Sequence, residues 1–274
     1  MGQDGQSISH SIDITTPSVA RMYDWLLGGT DNYPSDQKAC EELLEIVPST
    51  RELAVNNRAF LVRAVDMLAR RYNIRQFIDH GSGLPTQNNV HQVAQAVDRR
   101  SRVVYIDNDP IVLAHGRMLL DENDETAVIQ AEMTETDRIF ADPEVTRLID
   151  PQEPTAVLFN SVLHCIPDSA EPGELVRRVA DRLPAGSFIL ICQLVSADPQ
   201  IRHDVTEFMR ESTGDRWGRV REESDVQGFF EGFDIITPPG LTEVSRWFPD
   251  SEVTVRQKTF EWIEYGGVAA IPRP

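Results

Sequence analysis

The sequence predicts an α/β fold in which a mostly parallel sheet follows a helical N-terminal region. Roughly seventy residues of mainly helical pattern come first, and short apolar segments then alternate with helical ones from residue 74 onward. Such alternation is typical of a parallel sheet with right-handed crossovers. The chain has 274 residues, 41% of them hydrophobic, enough for a large domain with an appendage. We therefore divide it into a tail and helical cap at 1–72 and a sheet domain at 73–274.

Helices are predicted both ahead of the sheet and between its strands. Gly28-Gly29 and Pro48 end the first two helices, because glycine and proline interrupt helical hydrogen bonding. The predicted helices cover 19–27, 36–47, 51–72, 87–98, 110–120, 174–183, 201–211 and 225–233. The predicted strands cover 74–79, 102–107, 126–131, 155–160, 187–195 and 233–236, with a last pair at 242–248 and 259–271.

The composition excludes several classes of partner. The formal net charge is −18, and an acidic surface repels phosphate backbones and anionic lipid, so we expect neither nucleic acid nor a membrane as partner. Three cysteines lie far apart and form no CxxC pair, so neither a disulfide scaffold nor a metal site is expected. No leader peptide and no membrane-spanning apolar run is found, which predicts a cytoplasmic protein.

A glycine turn, FIDHGSGLPT at residues 77–86, overlaps the end of the first predicted strand. Ligands of open α/β sheets bind beyond the carboxyl ends of the strands, and Gly81 and Gly83 let the backbone approach a ligand closely there. Thr86 is predicted to cap the next helix. A dinucleotide turn, GxGxxG, would need a glycine in place of Thr86. The turn of methyltransferases, an acid followed by xGxGxG, departs only at Pro85.

The acid that leads this turn, Asp79, favours a cationic ligand. A dinucleotide brings a bulky pyrophosphate anion, which a carboxylate repels. S-adenosylmethionine carries an ammonium and a sulfonium but no phosphate, so a carboxylate near its amino-acid end stabilises it. The turn therefore predicts an adenosyl cofactor in preference to a dinucleotide.

The next two predicted strands also end in acids. In nucleotide-binding folds, an acid about 20 residues beyond the glycine turn accepts hydrogen bonds from ribose hydroxyls, and Asp107 stands close to that spacing. Asn108 follows it within the predicted cofactor site, and Asp109 is predicted to cap the next helix. Glu132, after the third strand, can accept a hydrogen bond from an adenine amino group, with Met133 against the ring. Acids at three successive strand ends strengthen the prediction of an adenosyl cofactor.

The fourth predicted strand runs into NSVLHCIPD, at residues 160–168, where the methyl group of such a cofactor would lie. Methyl transfer is an in-line displacement, so the protein chiefly aligns the acceptor and excludes water. Asn160 and His164 are the polar candidates for a catalytic role, with His164 as the candidate base. A buried structural role for His164 is the alternative.

The N-terminal segment ARMYDWLLGGTDNYPSD, at residues 20–36, is rich in aromatic, glycine and acidic residues. We predict that it covers the cofactor cleft as a lid, with Arg21, Tyr23 and Tyr33 facing the ligand. The alternative is a docking helix whose aromatic residues fill the core. Near the C-terminus, Trp247 lines a pocket in one interpretation and fills the core of a hairpin in another.

Five segments carry a resemblance to a known family. They lie at 17–36, 81–95, 103–115, 156–168 and 238–250. On these segments the chain resembles an actinobacterial family of S-adenosylmethionine-dependent methyltransferases formerly catalogued as a domain of unknown function. The turn of that family reads like DIGTGLPT, so Pro85 belongs to the pattern, whereas His80 departs from it.

This resemblance implies a class I methyltransferase: a Rossmann-like α/β fold with a seven-stranded, mostly parallel sheet, an antiparallel last strand and an N-terminal helical cap. It implies S-adenosyl-L-methionine as the cofactor. It implies binding of that cofactor by Asp79, Gly81, Gly83, Asp107 and Glu132. It supplies no methyl acceptor.

We expect a methyltransferase that acts on a small-molecule acceptor, because the acidic charge disfavours most macromolecular substrates. Two alternatives stay open. One is a protein that holds S-adenosylmethionine, or its demethylated product, without transferring a methyl group. The other is a nicotinamide-dependent oxidoreductase, which would bind NADH despite the missing glycine. The sequence leaves the oligomeric state open, with a homodimer as one alternative.

Overall fold

The structure is a computed structural model that describes residues 13–86, 88–120, 123–248 and 257–272. Residues 1–12, which the sequence assigns to the tail of the helical cap, lie outside these ranges. Among the helices in the described ranges, none combines the length and the apolar character needed to cross a membrane.

A mostly parallel sheet forms the centre of the fold. Its strands are β1 (Gln76–His80), β2 (Arg102–Asp107), β3 (Thr126–Gln130), β4 (Thr155–Asn160), β5 (Phe188–Val195), β6 (Asp234–Ile235), β7 (Thr242–Glu243) and β8 (Ile263–Ala270). Strands β1 to β5 pair in parallel in the order β3-β2-β1-β4-β5, and β8 runs antiparallel to both β5 and β6. This arrangement confirms the predicted Rossmann-like α/β fold with an antiparallel last strand.

Helices cover the sheet on both faces. They are α1 (Val19–Leu26), α2 (Pro34–Ile46), α3 (Thr50–Arg71), α4 (Val90–Val97), α5 (Pro110–Leu120), α6 (Thr136–Phe140), α7 (Pro143–Leu148), α8 (Pro172–Ala180), α9 (Pro199–Thr213) and α10 (Glu223–Phe229). One core layer joins α3 and α4 to the sheet, and the other joins α6, α7, α8 and α10 to it. Burial of apolar side chains on both faces explains why the parallel strands are continuous hydrophobic runs.

The C-terminal edge of the sheet departs from the sequence prediction. Of the predicted strand 242–248, the pair Thr242–Glu243 joins β8 and adds an eighth strand to the seven expected. The chain then turns, because Arg63 on α3 donates to the carbonyl oxygens of Val244 (2.8 Å) and Trp247 (2.9 Å). The Trp247 side chain is fully buried in the core layer of α3, so its core interpretation is correct and its pocket interpretation is wrong.

The helix after the glycine turn begins at Val90 and not at residue 87 as predicted. Asn88 adopts a left-handed φ of 59°, and Asn89 caps α4 in a capping box with Gln92. The backbone N–H of Thr86 donates to Oδ1 of Asn89 (2.9 Å), so the predicted cap at Thr86 is wrong. The short helices α6 and α7 are also unpredicted, since five and six residues hold too few turns to show a helical period.

The N-terminal helices form a third layer beside α9. Apolar residues of α1, α2 and the start of α3 pack there with Met209 of α9 and with Trp217 and Trp262. Helix α3 belongs to two layers, because Leu53 near its start lies in this cluster and Phe60 further along packs on the sheet. The N-terminal layer therefore continues without a break into the sheet domain and comes to lie over the carboxyl ends of the strands.

Candidate active site

A cavity of about 760 Å³ opens at the carboxyl ends of β1 to β4. Residues of these strand ends form its floor, α1 forms its roof, and α3, α9 and the loop after α9 form its sides. This volume lies in the range of sites for cofactors and small molecules. The predicted site residues that line the cavity are Arg21, Tyr23, Asp79, Gly81, Gly83, Asp107, Asn108, Glu132, Met133, Asn160 and His164.

The glycine turn is fastened to the end of β2. The N–H of Gly81 donates to the carbonyl oxygen of Ile106 (2.8 Å). Both Gly81 and Gly83 have a φ of 66°, a region that other residues rarely adopt. A Cβ at Gly81 would lie 2.2 Å from Cγ2 of Val162, whereas a Cβ at Gly83 would meet nothing within 4 Å. The turn therefore packs tightly at Gly81 and leaves open space beside Gly83.

Asp107 ends β2 at the floor of the cavity. Its Oδ1 accepts a hydrogen bond from the N–H of Asp109 (2.9 Å), and its Oδ2 accepts one from the N–H of Gly83 (2.9 Å). Burial raises the pKa of Asp107 to about 6, and these backbone N–H groups oppose the shift. Each carboxylate oxygen has two lone pairs, so Asp107 can accept further hydrogen bonds from a ligand.

Asp79 lies at the end of β1 and interacts electrostatically with Arg58. Burial raises the pKa of Asp79 to about 7, while the charge of Arg58 on α3 lowers it. Arg58 lines the same cavity, and its Nη2 donates to the carbonyl oxygen of Asn88 (2.9 Å). An anion and a cation at one end of the cavity suit a zwitterionic group. Arg58 stands in no motif, so the sequence does not single it out.

Asn108 and Glu132 form the rim of the cavity at the ends of β2 and β3. The amide Nδ2 of Asn108 donates to both carboxylate oxygens of Glu132, at 3.1 Å each. Met133 lies deeper, with its Cε 3.4 Å from the position that a Cβ on Gly81 would take. The polar pair Asn108 and Glu132 and the apolar side chain of Met133 could thus bind the edge and the face of a flat polar ring.

Asp109 and His80 are structural residues. Asp109 caps α5 as predicted, because its Oδ1 accepts from the N–H of Ile111 (2.8 Å). His80 is fully buried and stacks on Phe159, with ring centroids 4.8 Å apart. Burial lowers the pKa of His80 to about 3, and neither ring nitrogen has a hydrogen-bond partner among the described residues. His80 is therefore a neutral core side chain, outside the lining of the cavity.

Asn160 belongs to a polar network on the cavity floor. Its Nδ2 donates to Oδ1 of Asn57 on α3 (2.9 Å), and the hydroxyl of Tyr23 donates to the same oxygen (2.8 Å). The Oδ1 of Asn160 lies 3.1 Å from Sγ of Cys192 on β5. These contacts join α1, α3 and two strands. Asn57 escapes sequence reasoning, because no local pattern places it beside residue 160.

His164 is poorly suited to the predicted role of base. Its side chain is buried, and its ring packs on Trp217 with centroids 4.5 Å apart. Burial, aided by the charge of Arg221, lowers the pKa of His164 to about 3. A general base works best with a pKa near the operating pH. His164 lines the cavity, but as a neutral ring that shapes its wall.

Glu264 is a cavity residue that the sequence reasoning missed. It lies on β8, is 3% exposed, and its Oε1 accepts a hydrogen bond from the hydroxyl of Ser161. Burial raises the pKa of Glu264 to about 7. Ser161, directly after β4, has a positive φ of 56°, an uncommon backbone conformation for a residue other than glycine. A lone glutamate within an apolar strand is the signal that was available in the sequence.

The roof is fastened to the rest of the molecule through charged and polar contacts. The hydroxyl of Ser18 donates to Oδ2 of Asp109 at the end of β2 (2.6 Å). Arg21 forms a buried ion pair with Asp36 of α2 (2.9 Å), and its Nη1 donates to the carbonyl oxygen of Asp13 (2.9 Å). These partners occupy the guanidinium of Arg21, which therefore stabilises the roof. Its predicted contact with the ligand stays a prediction.

Tyr33 lies away from the cavity, contrary to the prediction. Its ring packs in a small cluster with Leu84, Ile111 and Val112, and it is absent from the cavity lining. The preceding loop is shaped by Asp24, whose Oδ2 accepts from the N–H of Asp31 (2.9 Å). Within this segment, Tyr33 therefore packs the loop onto the protein, while α1 covers the cavity.

Comparisons with known proteins agree with this geometry. A family model described as S-adenosyl methyltransferase matches residues 5–272. A solved protein of Thermobifida fusca YX is 34% identical, with a TM-score of 0.88, and the match covers 95% of this chain and 97% of that one. A solved DUF574 family protein of Streptomyces avermitilis MA-4680 is also 34% identical, with a TM-score of 0.85 and coverage of 95% and 99%. A search of curated proteins gives no match.

These matches confirm the predicted family and its cofactor, S-adenosyl-L-methionine, and they remove the nicotinamide alternative. The residues that the family resemblance implies for the cofactor lie together in one cavity. Membership of this family explains the strand order, the glycine turn after β1 and the acids at the next two strand ends. The chain belongs to the S-adenosyl methyltransferase family.

Proposed function

We propose that the chain transfers the methyl group of S-adenosylmethionine to a small-molecule acceptor held beneath α1. The observation that carries this proposal is a single roofed cavity that joins the strand-end acids to an apolar chamber. The chamber is walled by Met22, Leu26, Leu53, Met209 and Trp217. A roofed chamber of this kind suits a compact, partly apolar acceptor better than a macromolecular one.

Residues at the floor, rim and side of the cavity fit the cofactor. The remaining lone pairs of Asp107 suit ribose hydroxyls, and Glu132 suits an adenine amino group. The Asp79 carboxyl and the Arg58 guanidinium complement the ammonium and the carboxylate of the amino-acid end. Open space beside Gly83 admits a ligand close to the backbone. When bound, the cofactor supplies an electrophilic methyl group on a sulfonium.

The protein's own contribution is alignment and exclusion of water. The roof α1 shields the chamber, and the network of Asn57, Asn160 and Tyr23 fixes the floor at the end of β4. The main requirement of this reaction is to hold an acceptor in line with the methyl group, because that converts a bimolecular step into an effectively unimolecular one.

The test is a transfer experiment with S-adenosylmethionine labelled by a trideuteromethyl group. The protein is incubated with a panel of small hydroxyl, amine, thiol and carboxylate metabolites, and products are detected by mass spectrometry. We expect a labelled product with the wild-type chain and with Glu211→Gln, an exposed control on α9, and at least about a tenfold slower reaction with Asp107→Ala.

The non-catalytic alternative predicts a different result. In that case calorimetry detects binding of S-adenosylhomocysteine to the wild-type chain, while no member of the panel gains the label. Such a result would remove the transfer reaction from the account and leave cofactor binding in place.

A further inference from the structure

The carboxyl group of Glu264, a residue of the cavity lining, is only partly satisfied by the described residues. Its Oε1 is engaged by Ser161, but its buried Oε2 has no hydrogen-bond partner among the residues that the structure describes. Glu264 is 3% exposed and lines the cavity. A buried carboxylate oxygen without a partner is costly, which points to a ligand group that completes it.

The position of Glu264 in the sheet places it on the acceptor side. The residues that fit the cofactor stand at the ends of β1, β2 and β3, which are consecutive in the strand order. Glu264 lies on β8, three strands beyond β1, where it stands opposite Leu194 of β5 and on the far side of Asn160. A ligand group at Glu264 is therefore separate from the adenosine and faces the chamber where an acceptor lies.

The surroundings of Glu264 favour a cation. Among the described residues, Cys192, whose side chain hydrogen-bonds the Glu264 carboxyl, and Tyr23 are the other titratable groups that interact with it. Burial raises the pKa of both the thiol and the phenol, so both are neutral near pH 7. Leu194, Met209 and Trp217 line the same chamber with apolar surface. A carboxylate amid neutral and apolar groups is compensated best by an ammonium, and less well by a hydroxyl.

Resting on the proposed function, we propose that Glu264 binds the ammonium group of an amine acceptor with an apolar body and receives its proton. The ammonium N–H bond breaks and the proton passes to Oε2 of Glu264, which becomes a neutral carboxylic acid. The freed nitrogen lone pair forms the new N–CH3 bond, and the electron pair of the S–CH3 bond remains on sulfur, leaving a thioether. The products are a methylated ammonium, a carboxylic acid and S-adenosylhomocysteine, so charge and atoms balance.

The experiment is calorimetry on the full chain saturated with S-adenosylhomocysteine. The probes are matched pairs that differ in one group: 3-phenylpropylamine with 3-phenylpropanol, and hexylamine with hexanol. Because a hydrogen bond between an ammonium and a carboxylate is stronger than one between a hydroxyl and a carboxylate, each amine should bind at least about tenfold more tightly than its alcohol at pH 8.

Two variants assign this preference. In Glu264→Gln the amine should fall to the affinity of its alcohol while S-adenosylhomocysteine binds as before; the exposed control Glu211→Gln should keep the preference. If Glu264→Gln does not fold, a pH series on the wild-type chain decides. Since the pKa of Glu264 lies at about 7, amine affinity should fall about tenfold from pH 8 to pH 6, and alcohol affinity should not.

Several outcomes would overturn the inference. These are equal affinity for amine and alcohol, a preference that survives in Glu264→Gln, a loss of S-adenosylhomocysteine affinity in that variant, or no binding of any probe by a chain that binds S-adenosylhomocysteine. A wild-type chain that does not bind S-adenosylhomocysteine at all would instead contradict the proposed function.

Discussion

Asp79 is a carboxyl whose ionisation the fold opposes. Burial is the largest influence on it and raises its pKa to about 7, although Arg58 favours the charged form. A group of this kind lowers the stability of the empty protein and becomes favourable when a cation binds. Its stability effect has a defined sign: the folded pKa lies above the unfolded value, so the contribution is favourable at low pH and is lost as the pH rises towards 7.

Asp79→Asn tests this trade-off. The neutral amide should raise the melting temperature by at least about 2 °C at pH 8, where the wild-type carboxyl is charged, and the difference should shrink towards pH 5. The same variant should bind S-adenosylhomocysteine more weakly, because the ammonium of the ligand loses its counter-charge. Differential scanning fluorimetry across pH and calorimetry measure the two effects.

The matched control is Asp66→Asn, on the exposed side of α3, where the carboxylate pairs with Arg70 at the surface. It should change neither the melting temperature beyond about 1 °C nor its pH dependence, since surface pairs contribute little. An Asp79→Asn chain that is less stable than wild type at pH 8 would contradict the assigned role of burial.

The sequence predicts the position of a residue where the fold places it by rule, and does not where distant segments of the chain meet. Asp79 and Asp107 are predicted because strand ends of a parallel sheet share one edge. Glu264 and Ser161 are 103 residues apart, and no local pattern indicates that their side chains meet. His164 is predicted as a base from its position in the chain, but its pKa depends on burial by Trp217, which the sequence does not reveal.

At the scale of elements, α1 is the part of the molecule best placed to respond to a ligand. It roofs the cavity over most of its length and is tied to the sheet end by the Ser18 hydroxyl on Asp109. The buried pair of Arg21 and Asp36 joins it to α2. Met22 and Leu26 also pack α1 into the N-terminal layer, which is separate from the two core layers of the sheet, so α1 can move without unfolding the sheet beneath it.

Hydrogen exchange followed by mass spectrometry tests the roof as a lid. Saturating S-adenosylhomocysteine should slow the exchange of α1 amides at least about tenfold, because opening then requires loss of the ligand. Helix α8 packs on a core face of the sheet outside the cavity lining, so its amides should respond less. Equal exchange of α1 with and without the ligand would make it a fixed docking helix, the alternative interpretation.

Element boundaries show what periodicity does and does not predict. Strands β2 and β4 match their predicted bounds, because both are buried runs ended by polar residues. Helix α4 starts late because Asn89 competes successfully for the cap. The strand predicted at 242–248 is shortened by Arg63 of α3, a partner about 180 residues away in sequence, which no local propensity can anticipate.

At the scale of the whole molecule, the strand order divides the cavity by task. The half over β1, β2 and β3 carries the groups that fit the adenosyl cofactor, and the half over β4, β5 and β8 carries Asn160 and Glu264. The N-terminal layer closes both halves from above. The sequence predicts the first half from motif spacing and offers Asn160 of the second half as a candidate; Glu264 depends on the antiparallel return of β8, which brings it beside β5.

Calorimetric titration with S-adenosylhomocysteine of the wild-type chain, of Asp107→Ala and of the exposed control Glu211→Gln, with NADH as a second ligand for the wild type, decides whether this cavity holds the cofactor. We predict one site per chain in the wild type and the control, no binding of NADH, and at least about a tenfold loss of affinity in Asp107→Ala, since hydrogen bonds to that carboxylate are lost. Unchanged affinity in a folded Asp107→Ala chain would contradict the assignment of this cavity to the cofactor.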